Sequence, residues 1–276
     1  VELTAVAPPV VQEDELIVAT EGAIWWLAVE DGSFLAQRRM SQSPTVVAAA
    51  GDSVVFIDGA ALYQVDKNEQ GWVTETVGAT ALVTNAGGDT AFVSTDSGAL
   101  IAIDTATGNE RWRYTTEQGG RLSAAAVAED LIYVAGNDQF LTAIDARSGK
   151  KKWQRILGVD AHGAPAVVGD IVYVAPLDSM LHGYDARNGS QLYGLSLSAR
   201  TYVDLVAYDP WVVVGPRYGP WLRARAPRVY VARATLISDT VARGSGLRIS
   251  PAAGPAGVAL VNGDGTVILL RPQEPR

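Results

Sequence analysis

The chain has 276 residues, 48% of them apolar and 19% charged, with 28 Gly, 13 Pro and no Cys. That length and apolar content allow a large buried core and exclude a disordered chain. The missing Cys excludes disulfide staples, thiolate metal sites and a cysteine nucleophile, and a net charge of −8 argues against a nucleic-acid partner.

Two His in the whole chain are too few for a multi-histidine metal centre. No uninterrupted apolar run reaches the roughly 18 residues that a spanning helix needs. The chain opens on Val1 with no signal peptide ahead of it, which fits a processed or trimmed ectodomain.

In chain order, one unit recurs. It opens on an Asp before an apolar run, at Asp14, Asp52, Asp89, Asp130, Asp170 and Asp209, with successive gaps of 38, 37, 41, 40 and 39 residues. A seventh, less regular copy occupies 254–272. The fifth unit shows the parse: Ala164–Val168, Ile171–Ala175, Met180–Tyr184 and Gln191–Leu197 are short runs rich in Val, Ile and Tyr. Gly169-Asp170, Leu177-Asp178-Ser179 and Arg187-Asn188-Gly189 separate them as turns. Four strands per unit of about 40 residues is the period of a propeller blade.

The pattern predicts an all-β, single closed β-propeller of seven four-stranded blades, with eight as the alternative count. Blades are expected at about 7–40, 44–77, 78–116, 120–157, 160–198, 199–237 and 246–272. The seventh is completed by residues 1–6 (VELTAV), an N-terminal strand that would close the ring.

Within the units a motif repeats. Ala102-Ile-Asp104, Thr107-Gly108 and Trp112 are followed by Ala143-Ile-Asp145, Ser148-Gly149 and Trp153; a relaxed copy is Gly183-Tyr-Asp185, Asn188-Gly189 and Tyr193. The Asp and Gly shape the hairpin between third and fourth strands. The aromatic eight residues beyond the Asp is expected to lie over a neighbouring blade, making Trp112, Trp153 and Tyr193 structural docking residues. Unit one, with the turn Glu30-Asp31-Gly32, and unit two, with a longer turn over Asp66–Gly71, are read as lacking a docking Trp.

This motif resembles that of the pyrroloquinoline-quinone-like (PQQ-like) propeller repeats. The resemblance implies two kinds of activity: quinone-dependent dehydrogenases that also hold Ca²⁺, and a non-enzymatic, BamB-like branch of envelope scaffolds. The alcohol-dehydrogenase type carries a vicinal Cys pair that this chain lacks. The chain also contains no GxSxG, HExxH or P-loop motif. The expectation is therefore a protein without enzymatic activity or cofactor, extracytoplasmic, binding other proteins in a membrane-associated complex. The alternatives are a sensor with a small molecule in the central channel and, third, a PQQ-dependent dehydrogenase.

Three sets of residues are site candidates. Asp58, Asp96, Asp138, Asp178 and Asp264 all fall in turns between second and third strands. They are read chiefly as ordinary turn chemistry and only weakly as metal ligands. His162 is expected in an exposed loop and His182 packed in a strand; Asn188-Gly189-Ser190 matches a glycosylation sequon within a tight hairpin. The third set is Arg-rich. Residues 1–199 balance to −13, whereas 200–248 hold eight Arg and three Asp, a balance of +5. There Arg217, Tyr218, Trp221, Arg223 and Arg225 combine the residue types of interaction hot spots and are the expected partner-binding surface.

Overall fold

Val, Ile and aromatic side chains at alternating positions, cut every few residues by Gly and Asp, form twenty-seven strands and no helix among the described residues. The computed structural model describes residues 5–7, 9–40, 44–66, 71–197, 200–202, 204–208, 211–214, 222–225, 234–236, 249–254, 257–261 and 267–270; from 213 onward only the backbone pairing is described.

Blade one comprises β1 (Val10–Gln12), β2 (Glu15–Thr20), β3 (Ala23–Ala28) and β4 (Phe34–Arg39); blade two comprises β5 (Val46–Ala50), β6 (Ser53–Asp58), β7 (Ala61–Asp66) and β8 (Gly71–Glu75). Blade three holds β9 (Ala79–Thr84), β10 (Thr90–Thr95), β11 (Ala99–Asp104) and β12 (Glu110–Thr115). Blade four holds β13 (Ala126–Ala128), β14 (Leu131–Ala135), β15 (Phe140–Asp145) and β16 (Lys151–Ile156). Blade five holds β17 (Ala166–Val168), β18 (Ile171–Val174), β19 (Met180–Asp185) and β20 (Gln191–Ser196). Blade six holds β21 (Val206–Tyr208), β22 (Trp211–Val214), β23 (Leu222–Arg225) and β24 (Ala234–Leu236), and blade seven β25 (Ile249–Gly254), β26 (Gly257–Val261) and β27 (Val267–Leu270).

Each sheet is an antiparallel meander in sequence order, six with four strands and the last with three among the described residues. The first strands form the ring. β1 lies beside β5, β5 beside β9, and so on through β13, β17, β21 and β25, and β25 returns to β1. That cycle makes a seven-bladed closed propeller.

The N-terminal stretch departs from expectation. Ala5 bridges Thr20 of β2, and the Val6 amide donates to Ala19 O at 2.9 Å, so this part of it runs along blade one rather than the seventh sheet. Leu122, ahead of β13, bridges Gly136 of blade four in the same way. The free edge of a second strand extends past its short first strand, and the incoming chain pairs with it. Residues 1–4 lie outside the described residues.

The core lies between blades. Ile17, Ile24 and Trp26 of blade one pack with Val47, Val54 and Phe56 of blade two, and Val55, Ile57 and Leu62 meet Val93, Ile101 and Ile103. Phe92 and Leu100 meet Ile132 and Ile144, Tyr133 and Trp153 meet Val172 and Tyr184, and Tyr173 and Leu181 meet Val212 of blade six. Each fully buried large side chain contributes about 1.5–3 kcal/mol, so blades two to five are each held by both neighbours.

Candidate functional site

The repeated motif builds the junctions. Asp104, Asp145 and Asp185 each accept a backbone hydrogen bond three residues on, from Thr107, Ser148 and Asn188, at 2.9, 2.9 and 3.0 Å. The Thr107 and Ser148 hydroxyls add a second bond to the same oxygen. Arg111 beside Asp104, and Lys152 beside Asp145, hold those carboxyls below the usual range together with these hydrogen bonds. The turn so fixed ends on a glycine at positive φ and presents bare backbone to the preceding blade.

An aromatic side chain fills that opening. Trp112 lies against Gly149 and donates to Ala146 O at 2.9 Å. Trp153 lies against Gly189 and donates to Ala186 O at 3.0 Å. The Tyr133 phenol donates to that same carbonyl at 2.9 Å, and burial pushes its pKa up to about 12, so it stays a donor. Arg155 completes the junction, donating from Nε to Gly189 O and from Nη2 to Asn188 O, both at 2.7 Å.

Two corrections follow. Blade two does dock through a Trp: Trp72 lies against Gly108 and donates to Thr105 O at 2.8 Å, while Thr74 Oγ1 donates to Gly108 O at 2.8 Å. Trp72 is two residues nearer its Asp than Trp112 is, but it stands opposite Gln64 as Trp112 stands opposite Ala102. Cross-strand position, not distance along the chain, sets the docking site. Tyr193 behaves differently. Its ring covers Gly183 of its own blade and packs at 5.8 Å from Tyr173, because Gly183 lacks the β-carbon that Ala102 and Ala143 place there.

The antiparallel meander puts first–second and third–fourth turns on one face of the ring, and second–third turns with the blade-to-blade connections on the other. On the first face Arg147 pairs with Asp130 at 3.5 Å, Arg187 with Asp170 at 3.2 Å and Arg111 with Asp104 at 2.7 Å. The acidic candidates belong to the second face. Asp58 ends β6 opposite Ala61. The Asp96 carboxylate rests on the α-carbon of Gly78, and its amide donates to Gly78 O at 2.9 Å. Asp138 is buried, accepts from the Phe140 amide at 3.2 Å, and has its pKa raised by desolvation. Asp178 accepts from the Met180 amide at 2.9 Å and contacts His182 Nε2 at 2.7 Å. Asp138 and Asp178 thus serve their own turns, and Asp96 meets the connection ahead of β9. Among the described residues no group of three or more His, Asp or Glu is placed to hold a metal ion, and Asp264 lies outside those residues.

His182 sits between Asp178 and Gln191, whose Nε2 lies 3.1 Å from Nδ1; His162, exposed, stands edge-on to Tyr202 at 5.7 Å. Of the Arg-rich set, Arg223 and Arg225 occupy alternate positions of β23, opposite Val213 and Trp211, which places them on one face of the strand. Arg217, Tyr218 and Trp221 lie outside the described residues. Tyr133 and Arg155 were missed as docking residues. An aromatic three residues after the unit's opening Asp recurs as Phe92, Tyr133 and Tyr173 and signals the first; the second has no counterpart in the motif.

The profile of the family described as outer membrane protein assembly factor BamB, built on the PQQ-like repeat, matches residues 58–235. The chain belongs to that family. The match takes in the whole docking series from Trp72 to Tyr193. BamB from Moraxella catarrhalis superposes with a TM-score of 0.73 at 20% identity, covering 98% of this chain and 86% of that one. The computationally designed Ika8 protein does so with a TM-score of 0.73 at 15% identity, over 98% of this chain and 97% of that one. These likenesses establish the propeller fold. No curated protein matches the sequence.

Proposed function

We propose that the chain is a non-catalytic, protein-binding propeller of the cell envelope, acting outside the cytoplasm as a scaffold subunit of a membrane-associated assembly. Membership of the BamB family over residues 58–235 carries this reading. The fold supports it, since a ring locked at successive junctions holds its loops in fixed relative positions, as a docking platform requires. Among the described residues no helix is long and apolar enough to cross a membrane.

The proposed docking element is the Arg-rich sixth blade, with Arg217, Tyr218, Trp221, Arg223 and Arg225. The balance of +5 over residues 200–248 stands against −13 over residues 1–199, and complementary charge steers a partner and fixes its register. The test uses the purified chain as bait on a detergent extract of envelope, in parallel with the Arg223→Glu/Arg225→Glu double variant. Circular dichroism first checks that the variant keeps its strands. A partner held by the wild type and lost by the variant is the expected result. Equal capture by both removes the sixth blade from the reading, and no specific capture by either removes the scaffold itself.

A further inference from the structure

The turn against which Trp153 and Arg155 dock contains an Asn-Gly pair. In the equivalent turns of blades three and four the residue before the glycine is Thr107 or Ser148; in blade five it is Asn188. An Asn followed by Gly is chemically the most open to intramolecular attack, because no side chain shields the next backbone nitrogen. The Gly189 nitrogen, deprotonated by hydroxide, attacks Asn188 Cγ. The N–Cγ bond forms, the Cγ–Nδ2 bond breaks and ammonia leaves. Water then opens the resulting succinimide at either carbonyl, leaving aspartate or isoaspartate.

The fold opposes each movement this requires. The Gly189 N–H is donated to Asp185 O at 2.8 Å, so the nucleophilic nitrogen is occupied. The Asn188 side-chain oxygen accepts from the Ser190 amide at 2.7 Å, and the Asn188 amide donates to Asp185 Oδ1 at 3.0 Å, which hold the carboxamide and the backbone. Both flanking carbonyls are clamped by the Arg155 guanidinium at 2.7 Å, and Trp153 lies on the Gly189 α-carbon. The first three restraints belong to the turn, but the last two come from the neighbouring blade.

We propose that Asn188-Gly189 is a spontaneous deamidation site held dormant by the docking of blade four on blade five. Deamidation there would matter to the ring. Isoaspartate adds a methylene to the main chain, shifting the carbonyls that Arg155 holds and the glycine on which Trp153 rests, so one modification loosens the junction that restrained it.

The experiment follows Asn188 by peptide mapping and mass spectrometry during incubation in mildly alkaline buffer. The chain's other Asn-Gly pair, Asn262-Gly263, is mapped in the same digests. Wild type in urea supplies the unrestrained rate. The variants are Arg155→Ala, Arg155→Lys, which keeps the charge without the planar fork, and Leu62→Ala. Leu62 is fully buried in blade two, away from this junction, so its truncation lowers global stability alone.

Folded wild type is expected to deamidate at Asn188 far more slowly than in urea. Losing the Arg155 clamp should accelerate Asn188 on the order of tenfold by easing local opening, without a matching change at Asn262. Arg155→Lys should fall between the two, and it carries the test if Arg155→Ala does not fold. Leu62→Ala should leave Asn188 slow. A folded wild-type rate equal to that in urea, unchanged rates in both Arg155 variants, or equal acceleration by Leu62→Ala would overturn the proposal.

Discussion

Trp153 of the fourth blade lies so closely over Gly189 of the fifth that a β-carbon there would stand 2.7 Å from the indole ring. The same relationship links Trp112 to Gly149 at 2.7 Å and Trp72 to Gly108 at 2.8 Å. Three successive junctions therefore share one device: a turn shaped by an Asp, opened by a glycine and closed by the previous blade's Trp.

Each Trp supplies buried ring area and one hydrogen bond, and the two are separable. Trp153→Ala should cost about 3–5 kcal/mol. Trp153→Phe, which keeps a ring and loses only the N–H to Ala186 O, should cost nearer 1–2 kcal/mol. Trp72→Ala should resemble Trp153→Ala despite its different spacing. Urea denaturation measures all three; a Trp72→Ala cost below 1 kcal/mol, against the 2–5 kcal/mol typical of buried truncations, would show that blade two is held by other contacts.

The glycines differ in a way that stability can read. Gly32, Gly149 and Gly189 all have positive φ, near 70°, but nothing lies within 4 Å of a β-carbon at Gly32. Gly32→Ala should incur backbone strain alone, about 1–2 kcal/mol. Gly149→Ala and Gly189→Ala add a collision with a Trp held on the other side, and should lose clearly more. Thermal melts of the three variants give the comparison, and equal losses would mean that the indoles move aside freely.

Asp138 is buried among groups that do not neutralise it, and desolvation raises its pKa. The folded chain therefore holds this proton more tightly than the unfolded chain does, and stability falls as pH rises from the unfolded-state value through the folded one. Asp138→Asn keeps an oxygen to accept from the Phe140 amide without the charge. The variant should melt above wild type at neutral pH, and the difference should close in acid, where both side chains are neutral. A melting difference independent of pH would mean that the Asp138 carboxylate is solvated in the folded ring.

Much of this is legible in the sequence. The opening Asp residues and the Asp-x-x-Thr/Ser/Asn-Gly turns mark blades three to five, because turn chemistry is local and leaves similar residues each time. β19 and β20 begin at Met180 and Gln191, the starts of the fifth unit's third and fourth runs. Trp72 escapes the motif because β7 and β8 pair without the register shift that separates Ala102 from Ile103 in blade three, which changes its count from Asp66 without changing its position across the strand. Arg155 was missed because it binds backbone carbonyls, which carry no sequence signal. Of the acidic turn residues, Asp138 and Asp178 are spent on their own turns and Asp96 on the connection at Gly78.

The repeat, the strand pattern, the seven-blade count and the uneven charge are all written in the chain, since the first three follow from local preference and periodicity and the last from composition. It takes the folded ring to fix what each side chain meets. The ring sets Trp72 beside Trp112 and Trp153 as a docking residue, turns Tyr193 back onto Gly183, sends Ala5 and Val6 along blade one, and draws Arg155 onto the Asn188-Gly189 turn. These contacts join residues of different strands or blades, and their geometry depends on blade spacing and on the presence or absence of a single β-carbon. No window of the chain contains that information, because it arises only when one blade is laid against the next.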